Sequence, residues 1–129
     1  MPTAEDFVLC EDARLEVGGL LTLVGYIPGA ISLPGPGNLR ITCVLVLQEM
    51  TGIERFLLQL EVSVGKDVLY KSGVIECKRH AAEAHTIVHV IQPFPTPRPG
   101  KYVVRATLET STATTNFDKV LRVEMPAPT

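Results

Sequence analysis

Alternation with a period of two is the feature that most constrains what this chain can become. In RFLLQLEVSV, residues 55–64, Phe56, Leu58, Leu60, Val62 and Val64 fall on one side of an extended segment, and Arg55, Gln59, Glu61 and Ser63 on the other. Successive side chains of a strand point to opposite faces, so this pattern buries one face and wets the other. The segment KYVVRATLE, residues 101–109, repeats it, with Tyr102, Val104, Ala106 and Leu108 inward. Less regular runs rich in Val, Ile and Leu at residues 6–10, 20–27, 39–48, 68–76, 85–92 and 117–124 predict further strands.

The breaks between these runs are of the kind that separate strands. Gly18-Gly19 suits the positive φ of a tight hairpin, and Gly65-Lys66-Asp67 joins the strand ending at Val64 to one starting near Val68. Seven of the ten prolines lie in PGAISLPGPGN and QPFPTPRPG; a central strand excludes them because each lacks a ladder donor, so both segments read as loops. Only KRHAAEAH reads as helical, for barely two turns. With 129 residues and no internal repeat, the expectation is one domain over residues 1–129, with 125–129 a frayed tail. Seven to eight short strands without a long helix predict an all-β fold, an antiparallel β-sandwich of immunoglobulin-like or related topology. The PGKY turn leads into a late strand, where Tyr102 packs at the entrance and its hydroxyl can act as a corner tie.

Several function classes fit poorly. A formal net charge of -2, scattered Lys and Arg, three Tyr and no Trp leave neither a basic stripe nor a stacking platform for nucleic acid. No window approaches the ~18 apolar residues of a membrane helix, and the acidic amino terminus is unlike a secretory signal, so the expectation is a cytoplasmic protein. Cys10, Cys43 and Cys77, odd in number and widely spaced, read as reduced thiols. There is no G-x-S-x-G elbow, and Gly65-Lys66 and Gly100-Lys101 lack the Ser or Thr of a phosphate loop.

Two constellations resemble sites. In CEDARLE, an extended backbone puts Asp12, Arg14 and Glu16 on one face about 7 Å apart, so Arg14 is flanked by two carboxylates. An Arg between two carboxylates relieves the like-charge crowding that a catalytic pair needs, so Glu11, Asp12, Arg14 and Glu16 read as a structural or partner-facing corner. The stretch CKRHAAEAHTIVH has the spacing C-x2-H-x4-H-x3-H, but its end is β-branched, and on a strand His85 and His89 stand about 13 Å apart, too far for one zinc. No catalytic, metal or cofactor residue is assigned, and the chain reads as non-enzymatic. An enzyme built from dispersed Asp12, Arg14, His80 and His85 depends on which strands are neighbours.

One strand asks for a partner. In TCVLVLQ, Cys43, Leu45 and Leu47 lie on one face and Val44 and Val46 on the other, where a sandwich strand with a wet outer face would alternate. Cover for Val44 and Val46 comes either from the Ala-rich segment or a proline loop, or from a subunit contact.

The run Cys10-Glu11-Asp12-x-Arg14-x-Glu16-x-Gly18-Gly19, followed by Leu23-x-Gly25, resembles the start of a family of small bacterial all-β proteins of unknown function that carry a Cys-Asp-Asp-x-Arg-x-Glu-x-Gly-Gly-Lys-like signature. Leu20 stands where that family tends to have Lys, and Tyr26 follows Gly25 directly. The resemblance implies a bacterial, cytoplasmic sandwich with no activity to carry across. The leading expectation is therefore a protein-interaction or structural module with a protein partner, a homodimer being one form of it. The alternative is a small-ligand or carbohydrate binder using loops 28–38 and 93–101, in which Phe94 is the one aromatic.

Overall fold

The computed structural model describes residues 3–15, 21–50, 52–78 and 85–126. Among them are ten strands: β1 (Thr3–Leu15), β2 (Leu21–Ile27), β3 (Ala30–Ser32), β4 (Gly37–Gln48), β5 (Arg55–Val64), β6 (Asp67–Lys71), β7 (Ile75–Lys78), β8 (His85–Thr96), β9 (Gly100–Glu109) and β10 (Thr114–Glu124). They form two sheets in a sandwich-like arrangement. One has the order β2-β1-β4-β8; the other runs β3-β10-β9-β5-β6, with β7 also paired to β5.

The alternating segments behave as their period demands. Phe56, Leu58, Leu60, Val62 and Val64 of β5 are buried, as are Tyr102, Val104, Ala106 and Leu108 of β9. These two strands are central neighbours, with Leu58 opposite Leu108 and Leu60 opposite Ala106. Against them the four-stranded sheet sets Leu9, Ile27, Ile41, Cys43, Leu45, Leu47 and Ile91, which complete one core. Burying these side chains is what holds the sheets face to face, at roughly 1.5–3 kcal/mol for each large aliphatic or aromatic group.

Ten strands, rather than seven to eight, arise from two local differences. First, residues 68–76 do not make one strand: Gly73, at φ 75, breaks the run, and β6 and β7 each take a separate stretch of β5. Second, β3 lies inside the first proline-rich segment and pairs parallel to β10 through Arg122–Glu124. Hydrogen bonds of 2.8 Å from Arg122 N to Gly29 O and from Leu33 N to Glu124 O fix it there. The expected Gly18-Gly19 hairpin falls on residues 16–20, outside the described residues; Leu15 pairs with Leu21 on either side of them.

The second proline segment is also not wholly a loop. Strand β8 continues through Pro93 and Pro95 to Thr96. It sits at the margin of its sheet, and its register to β4 slips between Leu39 and Ile41, so the missing N–H groups fall at an edge and beside a bulge. The expected helix at KRHAAEAH keeps no described helical residue: Lys78 ends β7, His85 starts β8, and residues 79–84 lie outside the described set. Of the expected tail, Met125 packs against the core, and residues 127–129 are not described.

Where the chain enters β9, the Tyr102 ring is buried at 0% exposure and its hydroxyl donates to the Arg98 carbonyl at 2.6 Å. The Arg98 guanidinium then donates to Val64 O at 3.3 Å and pairs with Asp67 at 2.8 Å. A corner tie thus fastens the β8–β9 loop to the β5–β6 hairpin, as the PGKY turn predicts.

Candidate interaction face

The two outer faces of the sandwich differ in chemistry. On the six-stranded sheet, cross-strand register lines up Lys71, Glu61, Arg105 and Asp118. Arg105 Nε donates to Asp118 at 2.7 Å and its Nη2 at 2.9 Å, while Glu61 and Lys71 approach to 3.9 Å. The hydrogen bond from Arg105 holds the Asp118 carboxyl below its ordinary range and raises the guanidinium in turn. Next to this row, the Thr107 hydroxyl donates to Asn116 Oδ1 at 2.9 Å. These pairs suit the face to water, although Leu57 and Val68 are exposed on it and Val103 and Val120 share the row of Val68.

The outer face of the four-stranded sheet is apolar instead. Register places Tyr26, Cys10, Thr42 and Val90 in one row across β2, β1, β4 and β8, and Val8, Val44 and Val88 in the next. Val46 follows on β4 opposite Asp6, and Val24 stands opposite Asp12. Of these, Tyr26 is 54% exposed, Val24 47% and Val88 38%. Val8, Val46 and Val90 are half-buried.

Val44, flanked in register by Val8 and Val88, keeps only 1% exposure although it points away from the main core. Cys10 and Thr42 are covered likewise, and their polar atoms are used locally. Cys10 Sγ donates to Thr42 O at 3.6 Å, and Thr42 Oγ1 donates to Glu11 O at 3.3 Å. Burial, and then the charge of Asp12, raise the Cys10 thiol pKa, so it is a poor nucleophile. Burial pushes Cys43, on the inner face, up to about 12.

The described part of the acidic stretch lies on the distal half of β1. Asp12 and Arg14 share the outer face, and Arg14 Nε stands 3.7 Å from Asp12 Oδ2 with both side chains in solvent. Asp12 Oδ1 also accepts from Ala13 N at 3.0 Å. Glu11 lies on the opposite face, its side chain folded over Gly25: a Cβ added there would fall 2.6 Å from Glu11 Cγ. Glu16 lies outside the described residues. The structure therefore joins Asp12 with Arg14 and turns Glu11 away from them.

Among the described residues, the backbone positions of Asp12, Arg14 and His85 are not brought together. His85 stands opposite Leu47, which pairs on its other side with Ala4, eight residues along β1 from Asp12. That separation is about 26 Å along the strand. His80 lies outside the described residues. His89, opposite Cys43, meets Tyr70 of β6, with the phenol oxygen 3.2 Å from Nε2, and so links the margins of the two sheets. Burial lowers its pKa. Among the described residues no three metal-ligating side chains converge.

Loops 28–38 and 93–101 do meet at one end, since Gly37 pairs with Thr96 and Gly100 with Val123. Their single aromatic is not offered to a ligand, because Phe94 is 1% exposed in the core. An open groove of about 480 Å³, lined by Gly52, Ile53, Glu54, Arg55 and Thr110–Thr112, sits at the opposite end. Sequence reasoning gave this groove no attention, as its hydroxyls and charges come from two turns with no motif between them. No protein-family model matches the chain, and no curated protein matches it either.

Proposed function

We propose that this chain is a non-enzymatic protein-interaction module that docks a protein partner through the outer face of its four-stranded sheet. One observation carries the reading: the outer face of the four-stranded sheet exposes Val24, Tyr26 and Val88 beside a band of valines with one ion pair at its margin, whereas the other outer face, which exposes Leu57 and Val68, is crossed by a row of paired charges. Leaving such a patch in water forgoes roughly 25 cal/mol for every Å² that a partner could cover. An immunoglobulin-like topology is supported by the parallel β3–β10 pair and by the Tyr102 corner tie. The bacterial cytoplasmic setting rests on the resemblance in residues 10–25 and is compatible with three free thiols.

Side-chain footprinting of the purified protein, alone and in extract of its native host, tests this reading. Tyr26 and Val88 are expected to label readily in dilute pure protein and to be protected in extract, with Val68 and Val74, exposed outside this face, unchanged. Ready labelling of Tyr26 and Val88 in host extract and in concentrated pure protein alike would refute it.

A further inference from the structure

The outer face of the four-stranded sheet has the size and the charge layout of a self-complementary surface. Strands β1, β4 and β8 are 13, 12 and 12 residues long and β2 is 7. At about 3.3 Å per residue and about 4.8 Å between strands, the face covers about 700 Å². That footprint is close to the roughly 800 Å² each partner gives to a standard-size interface, and the surface left for a second copy lies around its centre, where Cys10, Thr42 and Val44 are already covered within the single chain.

The charges lie at the two ends of the strands, with the valine rows between them. Asp6 is exposed at one end, where Glu49 also follows the close of β4. Arg14 and Arg40 are exposed at the other, with Asp12 paired to Arg14. Among the described residues Asp6, Glu49 and Arg40 enter no ion pair.

Resting on the interaction reading above, we infer that the partner is a second copy of this chain, with the two four-stranded sheets packed face to face about a two-fold axis running across the strands. That axis turns the second copy end for end, so the Asp6 end of each meets the Arg14 and Arg40 end of the other. A two-fold axis along the strands fails, because it would stack like charges at both ends. Aligned sheet packing accommodates the arrangement, as stacked sheets lie about 10 Å apart with strand directions within about 30°. The interface is isologous and closes at two copies, leaving no apolar face to propagate.

Sedimentation equilibrium up to about 100 µM distinguishes the outcomes. Wild type is expected at twice the chain mass. Val88→Lys, Asp6→Lys and Arg40→Asp, all at exposed positions and checked for native circular dichroism, are each expected to weaken self-association by about tenfold or more. The double variant Asp6→Lys/Arg40→Asp swaps the signs of these two charges, so that they again oppose each other between copies, and is expected to recover to within about threefold of wild type. A double variant no tighter than the singles would overturn the inferred arrangement. A monomeric wild type whose Tyr26 and Val88 are still protected in host extract would overturn the second copy while leaving the interaction face standing. A monomer unprotected in extract would overturn both.

Discussion

Replacing Tyr102 by Phe isolates the corner tie from the core around it. The ring is fully covered and would stay in place, so no cavity opens and the transfer of apolar surface is nearly unchanged. What goes is one hydroxyl donating at 2.6 Å to the Arg98 carbonyl in a partly buried setting. A typical hydrogen bond contributes a net of about 0.5–1.5 kcal/mol, and a partner left unpaired in a buried place costs about 1–3 kcal/mol. Because the Arg98 carbonyl is only partly screened from water, the expected loss is about 1.5 kcal/mol. At about 3–5 °C per kcal/mol for a domain of this length, the melting temperature should fall by about 5–8 °C.

Urea denaturation followed by circular dichroism gives the first number and a thermal melt the second. Tyr26→Phe, which removes an exposed hydroxyl from the outer face, is the control and should stay within about 0.5 kcal/mol of wild type. The same tie positions the Arg98 guanidinium over Val64 O and Asp67, so the effects of Tyr102→Phe and Arg98→Ala should not add. A double-mutant cycle should return at least about 0.5 kcal/mol of coupling. A Tyr102→Phe variant as stable as the Tyr26→Phe control, with additive effects in the cycle, would refute the reasoning that this hydroxyl fastens two loops of the sandwich.

Two further expectations follow from local geometry. Gly25→Ala should lose about 1–2 kcal/mol in a urea titration, because Gly25 sits at φ 67, where a Cβ is strained; adding Glu11→Ala should recover only the contact over Gly25, and a neutral Gly25→Ala would contradict this account. His89 has its pKa lowered by burial, so the folded state disfavours the charged ring. Its contribution to stability is then fully present above the unfolded value near 6.5, shrinks as pH falls through that value, and levels off below the lowered folded pKa. Unfolding free energies from pH 8 to pH 5 should therefore fall less steeply for His89→Gln than for wild type, and an NMR titration should place His89 below an unperturbed histidine. Parallel slopes would count against the buried imidazole.

How far the sequence disclosed this fold differs from element to element. Strands β5 and β9 were legible because ten-residue alternation admits a single solution, and the buried sets came out as written. The three residues of β3, between two prolines, are too few to show any period; their strand character comes from the β10 backbone beside them. Pro93 and Pro95 argued for a loop, and only the edge position of β8 and its bulge make room for them. In the acidic run, alternation already sets Asp12 and Arg14 on one face and Glu11 on the other; that Glu11 folds over Gly25 is decided by the pairing of β1 with β2.

The same division holds for the interaction face. From sequence alone, TCVLVLQ announced that Val44 and Val46 occupy a face that water should have claimed, because side-chain direction in a strand is a local property fixed by the pleat. That Val8, Val44 and Val88 form one row, with Tyr26 and Val90 beside them, was decided by tertiary structure. Those valines lie many residues apart, and neighbourhood between strands depends on which pairings close the loops and bury the most apolar surface together. Local periodicity carries no information about that choice.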